Sequence, residues 1–440
     1  MLDSPVSREY EQGMALPPGP PLPTLVQTIV FGRFGPWLGP RLRRHYGDIY
    51  RLRIYPTRNV VVIADVEVIR KIFAGPATTF HAGEGNAILK PVLGEHSVLI
   101  TDEDVHLRAR RLLMPAFHGA ALRGYRDLVA ELAAAELDRW PDGTPLRAHD
   151  RMQALTLEVI LRVVFGVVEG PRLDELRELL RQTSDIKGFD VIGWHRPEMQ
   201  RFGRWRRNLE RQQRVDELLY AEIADRRRAT DLADRADVLS RLLTVPGENP
   251  LSDAELRDQL ITLLLAGHET TATALAWALH EVARNPECAA AAASGNETYL
   301  EAVTKESMRL HPVLGSVARR LTEDVEVGGY TIPAGFAVVP SISLVHADPA
   351  NHADPEVFRP ERFLGGGPAT GTWMPFGGGV RRCLGAGFSL MEATIVLREL
   401  FARFDIAPDR PEPEPTRIRH ITLVPGRGAT ILTRERSGRF

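Results

Sequence analysis

The chain has 440 residues, of which 44% are hydrophobic and 25% are charged, and its formal net charge at pH 7 is −2. This composition is typical of an ordinary soluble globular protein with a large core. The near-neutral total gives no global electrostatic reason to expect nucleic acid or a membrane as a partner.

Cysteine content and the N-terminus predict a cytoplasmic location. The two cysteines, Cys288 and Cys383, give no disulfide framework and fit a reducing compartment. Residues 1–13 lack the basic-then-apolar order of a signal peptide. The apolar stretch 25–38 contains Gln27 and Arg33 and is too short to span a bilayer, so we expect no membrane anchor.

The proline-rich stretch 16–23 predicts a polyproline segment at the start of the folded body. We therefore divide the chain into a flexible Pro-rich N-terminal segment, 1–23, and a single domain, 24–440. Residues 49–54 and 59–64 are rich in β-branched residues and predict a hairpin.

Helical periodicity dominates after residue 65. It predicts helices at 66–74, 103–116, 124–139, 151–165, 172–183, 199–228 and 235–243. A second hairpin is predicted at 325–332 with Gly328 and Gly329 in its turn, and a last strand pair at 419–424 and 429–433. The pattern indicates one large, mainly α-helical domain with small β-sheets.

The longest helical pattern begins at Ser252, where Ser252 and Glu255 form a capping-box signature, and it runs to the proline at 286. At about 32 residues and about 48 Å, such a helix would cross the whole molecule. Its apolar middle is interrupted at 266–271 by a glycine, a carboxylate and two hydroxyls. Either Glu269 lies on the outer surface and Thr270 bonds back to its own helix, or a widened turn admits water and dioxygen beside a cofactor.

The stretch 376–385 holds Cys383 behind three glycines and two arginines, and ahead of a predicted helix at 388–404. Glycine lets the backbone approach a flat ligand closely, and neighbouring arginines and a helix start lower the pKa of a thiol. A lone thiolate so placed suits one axial bond to a haem iron; it suits zinc poorly, because no second Cys or His lies at ligand spacing. A buried structural cysteine and a nucleophilic cysteine with a distant base are the alternatives.

The residue order of this stretch resembles the haem-binding loop of the cytochrome P450 family, and the matching positions are Phe376, Gly379, Arg381, Cys383 and Gly385. The resemblance implies the mainly α cytochrome P450 (haem-thiolate) fold with small β-sheets. It also implies haem b (iron protoporphyrin IX), with the Cys383 thiolate as the axial metal ligand.

Residues 266–271 resemble the oxygen-activation motif of the same family, carried by Ala266, Gly267, Glu269 and Thr270. The resemblance implies that Glu269 and Thr270 are catalytic, with the hydroxyl at the oxygen site and the carboxylate supplying protons with water. It places Ala266 against the cofactor.

Haem propionates need cationic partners, and the resemblance supplies candidates. Arg381 is one; His106 and Arg110, one turn apart on a predicted helix, are two more. Arg319 lies where relatives carry a strand arginine, and the adjacent Arg320 is the alternative. A solvated basic residue is the other interpretation of each.

A charge network of Glu306, Arg309 and Arg362 is implied by the resemblance of residues 306–309 and 359–363 to two further family motifs. Its role would be to hold the irregular segment 354–376 that leads into the cysteine loop.

The implied activity is that of a cytochrome P450 monooxygenase, an oxidoreductase acting on paired donors with incorporation of molecular oxygen. One oxygen atom enters a C–H or C=C bond of an apolar substrate, by hydroxylation or epoxidation, and the other becomes water. A peroxide-driven or isomerising haem-thiolate enzyme and a non-catalytic haem sensor are the alternatives. Both have less need of Glu269 and Thr270.

Electrons are expected from a separate ferredoxin or flavodoxin with its reductase, because too few residues follow Cys383 for a redox domain. A basic patch for an acidic partner is predicted from Arg108, Arg111, Arg381 and Arg382. We expect a monomer without nucleic acid.

An apolar small molecule is the expected substrate, and the predicted pocket residues are Leu264, Leu265, Val313, Leu314, Val317 and Ala429. Segments 83–99 and 183–197 are expected to line the pocket and its lid.

Overall fold

The N-terminal part of the folded body is a long helix laid beside a small sheet. The computed structural model describes residues 16–55, 57, 59–166, 170–183, 202–244 and 250–436. Helix α1 (Thr24–Tyr46) was not predicted, and it contains Pro36 and Pro40, which oppose helical structure. The Arg51 amide donates to the Pro18 carbonyl at 2.8 Å, and the Gln27 side chain donates to the carbonyls of Pro20 and Leu22. The predicted flexible segment is therefore attached to the folded body at residues 18–22.

The largest sheet confirms the first predicted hairpin and adds distant strands to it. Strands β1 (Ile49–Leu52) and β2 (Val60–Ile63) pair antiparallel, and helix α2 (Val66–Ala74) follows them. Three further strands complete the sheet: β3 (Phe80–His81), β5 (Arg319–Leu321) and β8 (Ala337–Pro340). Their order is β1-β2-β8-β5-β3, with β2 and β8 parallel.

Three small sheets hold the other strands, which are β4 (Pro145–Arg147), β6 (Val325–Val327), β7 (Tyr330–Ile332), β9 (Phe404–Pro408), β10 (Thr416–Arg419), β11 (Thr422–Pro425) and β12 (Thr430–Glu435). The β6–β7 hairpin is confirmed, with Gly328 and Gly329 at positive φ in its turn. The predicted pairing of 419–424 with 429–433 is wrong. Instead β11 pairs with β10, while β12 lies between β4 and β9.

Most of the longer remaining helices confirm predicted ones with shifted ends, whereas the short helices Ala82–Gly85, Lys90–Leu93, Gly119–Gly124, Pro286–Ala292 and Ile342–His346 were not predicted. The remaining helices are α3 (Ala82–Gly85), α4 (Lys90–Leu93), α5 (Glu103–Leu113), α6 (Gly119–Gly124), α7 (Arg126–Leu137), α8 (Ala148–Phe165), α9 (Pro171–Thr183), α10 (Gly203–Arg228), α11 (Val238–Thr244), α12 (Asp253–Arg284), α13 (Pro286–Ala292), α14 (Glu297–Leu310), α15 (Ile342–His346) and α16 (Ala386–Arg403). Short 3-10 turns lie at Ala87–Leu89, Met114–Phe117, Leu232–Asp234, Pro360–Phe363 and Gly379–Arg381. Helix α5 ends earlier than predicted because Pro115 follows it. Residues 199–201 of one predicted helix, and 184–197 of the predicted lid, lie outside the described residues.

Helix α12 runs through the main hydrophobic core. Its capping box is present, since the Ser252 hydroxyl and the Glu255 carboxylate each accept from the other residue's backbone N–H. Residues 253–284 form one continuous α-helix, so the widened turn proposed for 266–271 is not observed. The glycine has a different role: a Cβ at Gly267 would approach Ile160 of α8 to 2.9 Å, so its absence lets the two helices pack closely.

Among the helices in the described ranges, none combines the length and apolar character needed to cross a membrane.

Candidate functional site

The cysteine loop is shaped by glycines that pack against α2. The Cys383 amide donates to the Phe376 carbonyl at 2.9 Å and closes the loop. Gly379 has φ +63°, and a Cβ there would come within 1.8 Å of the Phe73 carbonyl oxygen. A Cβ at Gly378 would lie 2.2 Å from the Phe73 ring. Both positions therefore require glycine. Phe73 could not be predicted as a neighbour of the loop, because it lies some 300 residues away in the chain.

The Cys383 side chain is accessible to solvent although protein surrounds most of it, as expected for a group that lines a cleft. Burial raises the pKa of this thiol; a hydrogen bond from the Gly385 amide, Arg382 and Arg110 oppose that rise without cancelling it. The arginines were predicted to lower the pKa of this thiol, but in this structure the effect of burial is larger. Helix α16 begins at Ala386, three residues after the sulfur.

The middle of α12 opens towards a cleft at one point. Ala266 is exposed and Thr270 is partly exposed, while Leu264, His268 and Thr271 are buried. The Thr270 hydroxyl donates to the Ala266 carbonyl at 2.7 Å, as in the simpler of the two interpretations of this segment. Thr270 thus bonds back to its helix and also borders accessible space.

Glu269 is enclosed rather than on the outer surface. Its carboxylate lies 3.7 Å from Arg419 Nε and 3.8 Å from His420 Nδ1, and it is 3.5 Å from the hydroxyl of Thr422. Burial alone would raise the pKa of Glu269, but His420, Arg419 and His268 lower it overall. The carboxylate is therefore ionised at neutral pH. The turn between β10 and β11 supplies these partners, and it was not predicted as part of the site.

Four basic side chains gather beside the cysteine loop. His106 is buried and its Nδ1 has no hydrogen-bond partner among the described residues. Burial, together with Arg381 and Arg110, lowers the pKa of His106 to about 4, so the ring is neutral at pH 7. Burial and Arg381 lower the pKa of Arg319 to about 10. The cluster therefore carries buried positive charge that would favour an anionic ligand.

Asp102 is the carboxylate that contacts this cluster, and sequence reasoning missed it. It forms an ion pair with Arg381, whose guanidinium also donates to the carbonyls of Val98 at 3.2 Å and Thr101 at 2.5 Å. The same carboxylate accepts from the amides of Gly83 and Glu84. Asp102 stands directly before the first residue of α5, a position that favours Asp, but its partner lies far along the chain.

Arg319 and Arg320, the two candidates for the propionate contact, differ in burial and in their partners. Arg319 is buried beside Arg381, and its guanidinium donates to the Ala318 carbonyl at 2.8 Å. Arg320 is 40% exposed and lies 3.4 Å from Glu84. Burial therefore favours Arg319 as the inward-facing residue of the pair.

Glu306, Arg309 and Arg362 are brought together as the sequence suggested. Arg309 binds both oxygens of Glu306 at 2.7 and 2.9 Å, and Arg362 Nε lies 3.2 Å from the same carboxylate. Glu306 also accepts from the Arg359 amide, and Arg309 donates to the Pro355 and Val357 carbonyls. The network thus fastens α14 to the irregular segment that precedes the cysteine loop.

Comparison with known proteins decides the family. The family model described as Cytochrome P450 matches residues 17–431. A Mycobacterium tuberculosis protein provisionally named cytochrome P450 135A1 is 50% identical over 424 residues, which cover 94% of each chain. A Mycobacterium bovis protein provisionally named cytochrome P450 135B1 is 42% identical over 433 residues, covering 96% of this chain and 92% of that one.

The chain belongs to the cytochrome P450 family. The solved structure titled "Retinoic acid bound cyanobacterial CYP120A1" has a TM-score of 0.86 at 24% identity and covers 96% of this chain and 100% of its own. The cytochrome P450DA heme domain has a TM-score of 0.82 at 24% identity, covering 96% and 98%. This likeness shows the cytochrome P450 fold, mainly α with small sheets. Membership implies a haem with a cysteine thiolate ligand and, in general, monooxygenase chemistry with electrons supplied by redox partners.

The residues around Cys383 in this cytochrome P450 fit a haem. The accessible surfaces of Ala266 and Cys383 suit a flat apolar ring, and a Cβ at Gly385 would meet no protein atom within 4 Å. The buried His106 Nδ1 without a partner and the excess positive charge of Arg319 and Arg381 suit carboxylate groups at the ring edge.

The prediction of the pocket lining is wrong for two residues. Leu264 and Ala429 have no accessible surface and belong to the hydrophobic core, so they do not line an open pocket. The other four predicted pocket residues are half-buried: Leu265, Val313, Leu314 and Val317. The Val313 carbonyl accepts from the Leu423 amide at 2.8 Å, which joins this segment to the β10–β11 sheet near Glu269.

Glu392 of α16 carries a buried carboxyl group that was not predicted from the sequence. Its side chain is inaccessible, and neither carboxyl oxygen meets hydrogen-bond geometry with a described partner. Thr271 of α12 offers a nearby hydroxyl, but that hydroxyl bonds Ser389 at 3.2 Å. Burial raises the pKa of Glu392 well above its usual value, which favours the protonated carboxyl in the folded protein.

We expect Glu392→Gln to change the pH dependence of stability. Above the ordinary carboxyl pKa of about 4.5, the unfolded state loses this proton while the folded state keeps it, so wild-type stability falls as pH rises, by about 1.4 kcal/mol per unit at most. Glutamine removes the titration. The difference in unfolding free energy, variant minus wild type, should therefore increase with pH in urea titrations between about pH 5 and 8.

Glu399→Gln on the same helix is the matched control, because Glu399 is partly exposed and paired with Arg398 at 2.9 Å. Parallel stability curves for wild type and Glu392→Gln would show that the carboxyl is ionised in the folded protein.

Proposed function

We propose that this cytochrome P450 is a monooxygenase that inserts one oxygen atom from dioxygen into an apolar organic substrate, by hydroxylation or epoxidation. The supporting observation is the exposure of Ala266 and Thr270 in an otherwise buried helix, next to the enclosed carboxylate of Glu269. A hydroxyl and a carboxylate at this point serve proton transfer, for which a haem carrier or sensor has no need.

The haem, when bound through the Cys383 thiolate, supplies oxygen activation that the protein side chains cannot. His106, Arg110 and Arg319 would bind its propionates, and Arg381 would add positive charge while anchored to Asp102. Burial lowers the pKa of Arg110, and the nearby Cys383 opposes this shift without cancelling it. Ala266 and the loop from Phe376 through Gly379 to Gly385 are the residues that would contact the haem ring.

Thr270 and Glu269 would divide the proton transfer between them. The Thr270 hydroxyl gives its hydrogen to the Ala266 carbonyl, so its oxygen lone pairs can accept a hydrogen bond from a water in the cleft. Glu269 is ionised and lies beside His420, so it can accept a proton from that side and transfer it to a water beside Thr270.

Electrons would come from a separate ferredoxin or flavodoxin with its reductase. The basic surface is smaller than predicted, because Arg108 is paired with Glu255 and Arg381 with Asp102, while Arg111 and Arg382 are exposed. Beside Gly387, in the first turn of α16, a groove of about 490 Å³ is bordered by Arg123, Arg126 and Lys305, but Arg126 is paired with Glu297 and Lys305 with Glu301. The exposed Arg111, Arg123 and Arg382 would favour an acidic partner near the thiolate.

The test is reconstitution with reduced ferredoxin, its reductase and isotopically labelled dioxygen, using apolar substrates first selected by their binding spectra. We expect one labelled atom in the product. Product with hydrogen peroxide alone, and none with the redox partners, would instead indicate a peroxide-driven enzyme.

Thr270→Ala should uncouple the reaction. Proton transfer by a positioned group contributes about 10²–10⁴ to a rate, and because water can replace part of it we expect about a tenfold loss of product per reduced nicotinamide consumed. Hydrogen peroxide release should rise by a matching amount. The carbon-monoxide spectrum and substrate affinity should stay near those of the wild type.

Thr270→Ser is the matched control, because it keeps the hydroxyl and should restore most of the coupling. An alanine variant as tightly coupled as wild type would assign Thr270 to helix structure alone.

A further inference from the structure

Helix α1 and the residues directly before it expose an unusual number of large apolar side chains. Six of them, each between 41% and 69% accessible, come from sixteen consecutive positions: Leu22, Leu25, Val26, Ile29, Phe34 and Trp37. Isolated exposed apolar residues are normal on a protein surface, but a continuous set marks an interaction site.

The exposed residues of the helix occupy about half of its circumference, from Leu25 round to Phe34. Leu25 and Ile29 are one turn apart, and Trp37 lies about three turns after Val26. The opposite side of α1 faces the protein, where Phe31, Leu42 and Tyr46 pack against the β1–β2 hairpin. Tyr55, 56% exposed, lies at the edge of the patch, since its amide donates to the Thr28 hydroxyl at 2.9 Å.

The charges on the same face all have one sign. Residues 22–46 contain four arginines and no aspartate or glutamate. Arg43 is committed to Asp48 and Asp348, whereas Arg33, Arg41 and Arg44 are exposed and meet no carboxylate within the described part of the chain. The Arg41 guanidinium lies 3.3 Å over the Trp37 ring, and that of Arg33 lies 5.2 Å over Phe34. Basic and apolar groups are therefore interleaved on this face.

We propose that α1 binds the surface of a bilayer containing anionic phospholipid, with its axis parallel to the membrane plane. Over about 34 Å of helix, the apolar side chains would enter the boundary between headgroups and acyl chains, as in interfacial amphipathic helices. Trp37 has the ring chemistry favoured at that depth. The three exposed arginines would then reach the lipid phosphates.

A second copy of the chain fits this face less well. A two-fold contact would place the same patch on both sides, so Arg33 and Arg41 would face identical cations with no carboxylate to compensate them. An anionic lipid surface supplies the missing negative charge. Charge complementarity therefore selects the membrane over self-association.

The test is co-sedimentation of the full-length chain with phosphatidylcholine vesicles, with and without phosphatidylglycerol. We expect binding to the anionic vesicles, loss of that binding at about 0.5 M salt, and quenching of tryptophan fluorescence by brominated lipid. Trp37→Phe should remove most of the quenching. The double variant Leu25→Glu/Ile29→Glu should abolish binding, and Arg33→Gln and Arg41→Gln should each weaken it about fivefold.

Val357→Glu is the matched control, because Val357 is a comparably exposed apolar residue elsewhere, and it should bind as the wild type does. Thermal melting checks that each variant is folded. The proposal is overturned if the wild type does not bind anionic vesicles or if Leu25→Glu/Ile29→Glu binds them unchanged. A dimer that the double variant dissociates, with no vesicle binding by the wild type, would assign the face to a second copy instead.

Discussion

Replacing Cys383 by serine is expected to abolish monooxygenase activity. The hydroxyl of serine has a far higher pKa than a thiol, so the loop would lose the thiolate that the proposed haem site requires. The reduced carbon-monoxide complex of the wild type should show the red-shifted Soret band of thiolate ligation, and Cys383→Ser should lack it. The measurement is the reduced difference spectrum, alongside turnover with the reconstituted redox partners.

Cys288→Ser is the natural control, because Cys288 is the other cysteine of the chain and is buried beside Tyr299 on the α13–α14 side. It should keep the red-shifted band and most of the activity. Survival of that band in Cys383→Ser would mean that the ligand has been wrongly assigned.

The second large effect is expected for Glu306→Gln, on stability. Glu306 has no accessible surface and neutralises Arg309 and Arg362, whose side chains are 1% and 9% accessible. Removing its charge leaves two buried guanidinium groups without a counter-charge, and breaking a buried pair in this way costs about 3–5 kcal/mol. Urea unfolding should show that loss. The segment that leads to the cysteine loop should also loosen, so haem retention should fall with it.

Glu301→Gln is the matched control, because it tests whether removing any glutamate charge from α14 lowers the unfolding free energy as much. Glu301 is 44% exposed and bonds Lys305 at 2.6 Å, a surface pair worth about 0–1 kcal/mol. If both variants lost the same unfolding free energy, the buried network would contribute no more to stability than the surface pair does.

The parts of the fold that depend on short stretches of chain were predicted correctly. The capping box of Ser252 and Glu255 begins α12, and the glycines at 328 and 329 turn the β6–β7 hairpin, because both signals act within a few residues. Helix α1 was not predicted. Pro36 and Pro40 oppose a helix, and tertiary packing against the hairpin overrides that preference.

Pairings between distant strands could not be predicted. The last two strands looked like one hairpin, yet β11 joins β10 and β12 joins β4, which lies nearly 300 residues earlier. Each strand presents an apolar face that several partners could cover, so the choice depends on the whole topology.

The sequence by itself determined three features as residue types at fixed spacing. They are the loop motif around Cys383, the Glu269–Thr270 pair and the basic residues proposed to bind the haem propionates. Which of these side chains turn inward was decided by the tertiary structure. It buried Arg319 and left Arg320 exposed, set Asp102 against Arg381, and brought Arg419 and His420 to Glu269. The physical reason is that burial and charge pairing depend on neighbours in space, and these neighbours lie on different helices and strands, up to 279 residues apart.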